Sequence, residues 1–447
     1  MAPSPTGLLH LGTTQTTLYN WLFARHHGGE FILRIEDTDL ERSRKEYEEN
    51  IINGLKSLGI TWDNSKIIRQ SERLDRYEEV IRKLVEEGKA FWCDHSKEEL
   101  EAEAKQQMDA KEPPRHLCEH KDKNLKKGQV IRLKVNTAGD RAEVFHDEIR
   151  GDIKWTEALL GDFSIARDFR NPLYNFAVVV DDIDMEITHV IRGEDHISNT
   201  PKQILIYEAL GSAVPKFAHL PLILAPDRSK LSKRHGAVSI DEYTKDYLPE
   251  ALINFLGFLG YTYSKEILTK EEMAQEFDLE KVHSSGAIWD IKKLNWINSQ
   301  WIKQKPEVLK KLNPDIPDEA LPVITERLER LSDYIEFSYL WNDDFDYAAD
   351  LLIWKKSDKE KTHKALNLAK MAVESSSSSD DLRLQLEKIA TDEFGGDKGS
   401  IFWPVRVALS GKDRSPDPIQ IFDVIKKIKV GDRIEKALAK LAHAKEN

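Results

Sequence analysis

The 447-residue chain carries 66 Lys and Arg against 78 Asp and Glu, a net charge of −12, with 40% hydrophobic and 32% charged residues. That balance describes a soluble, multidomain globular protein and argues against wholesale coating of nucleic acid, which calls for a basic surplus. No run of about 18 apolar residues offers a membrane span. No basic-then-apolar leader marks export, and Cys93 and Cys118, the two cysteines, make no disulfide framework; a cytoplasmic protein with no membrane partner is expected.

The chain opens MAPSPTGLLHLGT. A turn-rich run at 3–7 leads into His10, Leu11, Gly12 and Thr13, then into a helical pattern with Leu18, Trp21 and Leu22 on one face. A turn feeding a helix N-terminus suits a phosphate, and Gly12 lets backbone approach a ligand. Taken alone, the turn is a weak signal, and most such turns are structural. Such loops follow a β-strand, and here only Met1 and Ala2 precede the turn. GEFILRIEDTD at 29–39 predicts a buried strand that runs out into Glu36, Asp37 and Asp39. Ser43 is expected to cap a helix carrying Ile51, Ile52, Leu55 and Leu58; Tyr77, Val80, Ile81, Leu84 and Val85 mark another, ended by Gly88. Strand alternating with helix argues for a doubly wound parallel sheet, whose ligands bind beyond the strand ends.

Residues 90–170 break this rhythm, with a charged helix at 97–111, a break at Pro113 and Pro114, and a strand at 130–135. They read as an inserted domain. Within it, FWCDHSKEEL and RHLCEH supply Cys93, His95, Cys118 and His120. Two Cys and two His in paired spacing suit a tetrahedral zinc whose four protein ligands leave no open position, a structural site. Two small buried cysteines beside loop histidines is the other reading. The α/β pattern resumes at 174–196, read as two apolar strands flanking a turn. A helix follows from Asn199, Thr200 and Pro201 to Gly211, with Pro in its first turn and Gly past its last.

PLILAPDRSKLSKRHG at 221–236 places Lys230, Lys233 and Arg234 after an apolar strand, where basic side chains can close over a polyphosphate. Helical periodicity dominates after about residue 240, at 248–259 and 292–303. The five serines at 375–379 read as a solvated loop. Local basic patches lie at 228–235 and in the run Lys426, Lys427, Lys429, Arg433, Lys436, Lys440 and Lys445; the second reads most simply as a solvated helix face.

The loops at 10–13 and 230–234, in this order and separated by an inserted domain, resemble the His-Ile-Gly-His and Lys-Met-Ser-Lys-Ser signatures of class I aminoacyl-tRNA synthetases. APSPTG, LRIEDTD, YNFAVVVDD, VIRGEDH and LSKRHG in sequence resemble bacterial-type glutamyl-tRNA synthetase over essentially the whole chain, most strongly over 1–62 and 172–245. The related glutaminyl enzymes carry Pro-Glu-Pro-Asn-Gly where this chain has Ser4, Pro5, Thr6 and Gly7. The resemblance implies an α/β Rossmann-like catalytic core with an inserted α+β domain, followed by an all-α C-terminal region. Its parts would be a first catalytic half at 1–88, an acceptor-stem domain at 89–172, a second catalytic half at 173–226, a stem-contact helical domain at 227–305 and an anticodon-binding domain at 306–447.

The implied activity is ATP-dependent attachment of L-glutamate to tRNA-Glu through glutamyl-adenylate, by a monomer, with Mg2+ accompanying ATP and structural Zn2+ on the Cys/His cluster. His95 departs from the Cys-x-Cys that many relatives carry. His10, Lys230 and Lys233 would be catalytic. ATP would be held by His10, Gly12, Thr13, Glu194, Lys230, Lys233 and Arg234. Glutamate would be held by Ala2, Ser4, Glu36, Tyr174 and Arg192, and the tRNA 3′ end by Asp39 and Arg42. Relatives begin several residues earlier, with an apolar strand and an Arg two residues before Ala-Pro-Ser. The expectation is that this strand and its Arg, which helps to bind the glutamate side chain, lie upstream of Met1; were 1–447 the whole protein, recognition would fall more heavily on Arg192 and Tyr174. Two rivals remain: a paralogue that activates glutamate to modify a tRNA base, and an inactive RNA-binding paralogue.

Overall fold

The computed structural model describes residues 1–39, 41–123, 125–136, 142–229, 231, 239–355 and 357–443. The chain divides into two compact units, one of residues 1–244 and 249–294, the other of 245–248 and 295–447.

The first unit begins with α1 (Leu11–His26), β1 (Arg34–Ile35), α2 (Lys45–Ser57), β2 (Ile68–Arg69) and α3 (Leu74–Glu86). β1 and β2 pair in parallel. The strand foreseen over 29–39 shrinks to two ladder residues, its other backbone groups being met by side chains and by residues 1–3. The Asn64 amide pairs with both the N–H (2.9 Å) and the C=O (3.0 Å) of Leu33, and Asp63 accepts from Phe31 N–H at 2.7 Å. Residues 1–3 carry a strand's hydrogen bonds: the Met1 amine donates to Ile32 O at 2.8 Å, while Arg34 N–H donates to Met1 O and Glu36 N–H to Pro3 O, each at 3.0 Å. Ser43 does not cap α2; the cap position is Arg44, with no side-chain bond.

An antiparallel sheet follows, ordered β3 (Ala90–Cys93), β4 (Val130–Leu133), β7 (Ser164–Asp168), β8 (Asn171–Pro172). The helix foreseen at 97–111 is α4 (Lys97–Asp109), begun by a capping box of Ser96 and Glu99. Between these strands β5 (Ala142–Asp147) and β6 (Gly151–Thr156) form a hairpin. The short α5 (Glu157–Leu160) comes next. The hairpin extends a different sheet, ordered β6, β5, β10 (Lys216–Leu220), β9 (His189–Gly193), in which β10 is parallel to both β5 and β9.

The apolar stretch after Tyr174 is not a strand. It is α6 (Tyr174–Asp184), in which every residue from Phe176 to Asp182 is buried. A helix enclosed on all sides loses its 3.6-residue alternation, so its sequence imitates a buried strand. α7 (Thr200–Leu210) runs from Pro201 in its first turn to Gly211 in the left-handed conformation. One core joins α3, α6 and α7 to strands of both sheets through Tyr77, Ile81, Ile131, Ile165, Phe176, Val179, Ile206 and Phe217.

β11 (Ile223–Leu224), α8 (Ile240–Tyr243), α9 (Pro249–Phe258), α10 (Lys270–Glu276), β12 (Ala287–Ile288) and α11 (Ile291–Gln304) follow. The second unit is helical: α12 (Val308–Leu312), α13 (Leu321–Thr325), α14 (Lys359–Ser375), α15 (Ser379–Phe394), α16 (Gly399–Ser410), α17 (Pro418–Ile425) and α18 (Lys427–His443). α14 packs on α16 and α18, and α15 on α17. The serine run is the joint between α14 and α15. Part of the basic run at α18 is neutralised by acids, while Lys426 and Lys436 are exposed. Arg433 is buried, donating to Leu409 O at 2.6 Å and Tyr339 O at 2.8 Å, while Lys429, Arg433 and Lys440 meet Asp343 or Asp346. Among the described residues no helix is long and apolar enough to cross a membrane.

Candidate active site

A cleft of about 1950 Å3 opens in the first unit, lined among others by Ala2, Ser4, His10, Gly12, Thr13, Glu36, Tyr174 and Arg192. Residues from the turn at the chain start, from the end of β1, from the first turn of α6 and from β9 therefore converge, as expected at the strand ends of a doubly wound sheet.

The rim is the N-terminus of α1. His10 is its cap, and its Nδ1 accepts from Thr13 N–H at 3.3 Å. No acidic residue lies in the first turn, so the helix dipole and its N–H groups favour an anion. A Cβ on Gly12 would meet the His10 ring at 3.4 Å, so a side chain there would press on the imidazole.

The floor is a buried charge cluster that the sequence reading missed. The Arg34 guanidinium donates to Asp182 at 2.7 Å and lies 3.6 Å from Glu36, with these side chains 7%, 11% and 9% exposed respectively. Tyr207 donates to the other Asp182 oxygen at 3.1 Å. Asp181, next in sequence, accepts from Gln70 (2.8 Å), Arg73 (2.7 Å) and Tyr77 (2.9 Å). Burial, opposed by Arg34 and aided by Asp182 and Asp181, pushes the Glu36 carboxyl up to about 7. The Met1 amine, also buried and beside Arg34, falls to about 5. The available signal was charge inside apolar runs: Arg34 within FILRIE and two Asp within α6.

Arg192 projects from β9. Its Nη1 donates to Gln203 Oε1 (2.8 Å), its Nη2 to Thr200 Oγ1 (2.7 Å) and its Nε to His219 Nε2 (3.1 Å). All three partners are uncharged acceptors, and among the described residues no carboxylate makes an ion pair with it. A buried guanidinium so held keeps its charge for an anionic ligand. The Tyr174 hydroxyl lies 3.1 Å from His196 Nδ1.

Glu194, Asp39 and Arg42 are not among the residues that line this cleft. The Glu194 carboxylate accepts from Leu222 N–H at 3.0 Å and pairs with Arg150 at 2.5 Å. Asp39 and Arg42 are exposed and joined by an Arg42 N–H bond of 3.3 Å. Lys230, Lys233 and Arg234 lie outside the described residues; Leu231 and Ser239, which flank most of that segment, line the cleft.

The Cys/His group is a separate cluster. One ligand atom from each of Cys93, His95, Cys118 and His120 lies within 4.8 Å of the others, and both cysteines are buried thiols. His95 Nδ1 is 3.4 Å from Cys93 Sγ and 3.6 Å from Cys118 Sγ. A tetrahedron with usual Zn–S and Zn–N lengths has S···N edges of roughly 3.5 Å, so the donor set fits zinc. His116, missed in the sequence although it stands two residues before Cys118, puts Nε2 3.7 Å from Cys93 Sγ while its Nδ1 meets Glu103 at 2.5 Å. Burial resists ionisation of the Cys93 thiol, but His116, His95 and Arg132 outweigh it and lower its pKa. Asp162, fully buried, fixes Cys118 by accepting its N–H at 2.9 Å.

The chain matches two family models: class I tRNA synthetases (E and Q), catalytic domain, over residues 1–296, and an anticodon binding domain over 261–438. It is 41% identical to glutamate–tRNA ligase 2 of Thermoanaerobacter pseudethanolicus, covering 98% of this chain and 97% of that one. It is also 41% identical to the glutamate–tRNA ligase of Aquifex aeolicus, covering 99% and 98%. The crystal structure of a glutamate tRNA ligase from Elizabethkingia meningosepticum, in complex with its amino acid, matches with a TM-score of 0.85 at 31% identity over 98% of both chains.

Proposed function

The chain belongs to the glutamate–tRNA ligases of the class I tRNA synthetases, and from that premise we propose how its own residues carry the reaction. The enzyme attaches L-glutamate to tRNA, with ATP and Mg2+ as the class requires. A carboxylate oxygen of glutamate attacks the α-phosphorus of ATP, and pyrophosphate leaves. A ribose hydroxyl at the tRNA 3′ end then attacks the carbonyl of glutamyl-adenylate, and AMP leaves. Neither step needs a bond to the protein, so positioning and electrostatics do the catalysis.

His10, Thr13 and the Gly12 backbone receive the α-phosphate region at the N-terminus of α1. Lys233, with Lys230 and Arg234, neutralises the departing pyrophosphate, and Glu194 orders the neighbouring nucleotide-side loop. Ionised Glu36 takes the substrate ammonium, and Arg192 takes a substrate carboxylate. Ala2, Ser4 and Tyr174 complete the amino-acid pocket. Asp39 and Arg42 receive the 3′ end of tRNA-Glu. The observation that carries this reading is the pair of buried opposite charges, Glu36 and Arg192, on one cleft; together they complement a zwitterion bearing a second carboxylate.

The segments 1–88 and 173–226 form the catalytic core, 89–172 the acceptor-stem domain, 227–305 the stem-contact region and 306–447 the anticodon-binding region. Cys93, His95, Cys118 and His120 would hold a zinc, whose contribution would be structural, to the fold of the inserted segment and not to the reaction. The anticodon-domain match and the near-complete coverage of ligases by this chain leave the base-modifying and the inactive alternatives without support.

Pyrophosphate exchange with L-glutamate in the presence of tRNA tests the reading. Exchange is expected with tRNA-Glu, and none with any tRNA refutes it. Lys233→Ala should lose activity by orders of magnitude; full activity would remove that loop from the mechanism.

A further inference from the structure

We propose that His219 is a positioning residue that sets the Arg192 guanidinium for the substrate carboxylate, and that Asp147 fixes the tautomer His219 needs to do so. This rests on the reading that Arg192 binds a carboxylate of glutamate.

β5, β10 and β9 lie side by side, and His219 on β10 stands in register with Arg192 on β9. The side chains of His219 and Asp147 are 0% exposed. His219 Nδ1 lies 2.6 Å from Asp147 Oδ2. The same carboxylate accepts backbone N–H bonds from Ile149 (3.0 Å), Arg150 (2.9 Å) and His219 itself (3.1 Å). Burial works to raise the Asp147 carboxyl, but His219 and these N–H groups outweigh it and hold it below the usual range. An ionised carboxylate is acceptor only, so Nδ1 carries the ring proton.

That leaves Nε2 with a lone pair inside the protein, and it is used. Arg192 Nε–H donates to it at 3.1 Å. The Thr200 hydroxyl accepts from Arg192 Nη2 at 2.7 Å and lies 3.1 Å from Nε2, with His196 O at 3.5 Å as a further acceptor for its proton. A proton on Nε2 would set two donors, and two positive charges, against each other. Burial and Arg192 both hold the imidazole neutral, against Asp147. The chain from Asp147 through His219 thus fixes one edge of the guanidinium with an uncharged acceptor while Gln203 fixes another. A carboxylate partner would do the same geometric work but would cancel the charge the substrate must meet. The hairpin that supplies Asp147 comes from the segment interrupting the core, so its attachment to the core sheet reaches the amino-acid pocket through this chain.

The test is L-glutamate binding to the full chain by calorimetry, together with KM values for glutamate and tRNA in aminoacylation. His219→Leu removes the acceptor, and its glutamate Kd should rise ~10- to 100-fold, as expected for a buried donor left unpaired, while the KM for tRNA stays put. His219→Gln, whose Oε1 can replace Nε2, should bind within ~3-fold of the parent. Asp147→Asn can donate to Nδ1 and favour the wrong tautomer, so it should weaken glutamate binding without touching the pocket. Parent-like glutamate binding by folded His219→Leu, or equal losses in the Leu and Gln variants, would overturn the proposal. Should the Leu variant not fold, parent-like binding by Asp147→Asn overturns it instead. Failure of the unaltered protein to bind glutamate would refute the underlying assignment of the pocket, a separate outcome.

Discussion

Glu36 should give glutamate binding a pH dependence that an ordinary carboxylate would not. Burial, with Asp182 and Asp181 adding to it against Arg34 and Arg192, moves its pKa from 4.5 to about 7. Only the ionised form attracts the substrate ammonium. At pH 8 roughly 90% of the free protein has Glu36 ionised; at pH 6 roughly 10% does. Apparent affinity scales with the competent fraction, so the glutamate Kd should rise ~10-fold between pH 8 and pH 6, about 1.4 kcal/mol. A carboxyl left at 4.5 would be ionised throughout and the Kd flat. Among nearby groups, the Met1 amine falls to about 5, and burial is the chief cause that holds His196 and His219 below their ordinary values.

Stability should run the other way. A carboxyl whose folded pKa lies above its unfolded one binds more protons when folded, so stability is present at low pH and is lost as pH rises between 4.5 and about 7. The loss at pH 8 is roughly 3 kcal/mol by linkage. Glu36→Gln should therefore melt above the parent at pH 8, approach it at pH 5, and bind glutamate weakly at both. Calorimetric titrations from pH 5.5 to 8.5 and parallel melts check this. A Kd constant between pH 6 and 8 would refute the reasoning.

Asp181→Ala should cost about 3–5 kcal/mol in denaturant unfolding, because it leaves Arg34 and Arg73 short of a buried partner and orphans the Tyr77 hydroxyl. Arg433→Met should lower hydrogen-exchange protection in α16 and α18 while leaving α1 and α6 unchanged, since the carbonyls of Leu409 and Tyr339 lose their donor; unchanged protection in α18 would contradict its structural role. His116→Ala should weaken zinc binding ~10-fold in chelator competition by removing the donor between Glu103 and the Cys93 sulfur. An equal affinity would show that His116 serves only packing.

Several elements could be read directly from residue order. Pro201 and Gly211 bracket α7 because φ-restricted and φ-permissive residues act locally. That the Cys93/His95 and Cys118/His120 pairs meet in one cluster was decided by the fold, but each pair was legible because residues two apart are local neighbours. The two signature loops and the LRIEDTD and VIRGEDH stretches pointed to the family for the same reason: short contiguous motifs do not need the fold to be seen. Other local inferences failed where context decided. Ser43 had the chemistry of a cap, yet α2 starts beyond it. The run after Tyr174 looked like strand because enclosure erased its periodicity.

Tertiary structure alone decided what joins across distance. Arg34 and Asp182 are 148 residues apart, and Asp147 and His219 are 72 apart. A charge inside an apolar run, such as Arg34 or Asp182, can be flagged from sequence as buried, but no local pattern says which distant residue is its partner. Local motifs thus nominated the candidates for substrate chemistry, since contiguous residues carry them. The charge state of Glu36 and the aim of Arg192 belong to the packed interior, where desolvation and long-range hydrogen bonds set them.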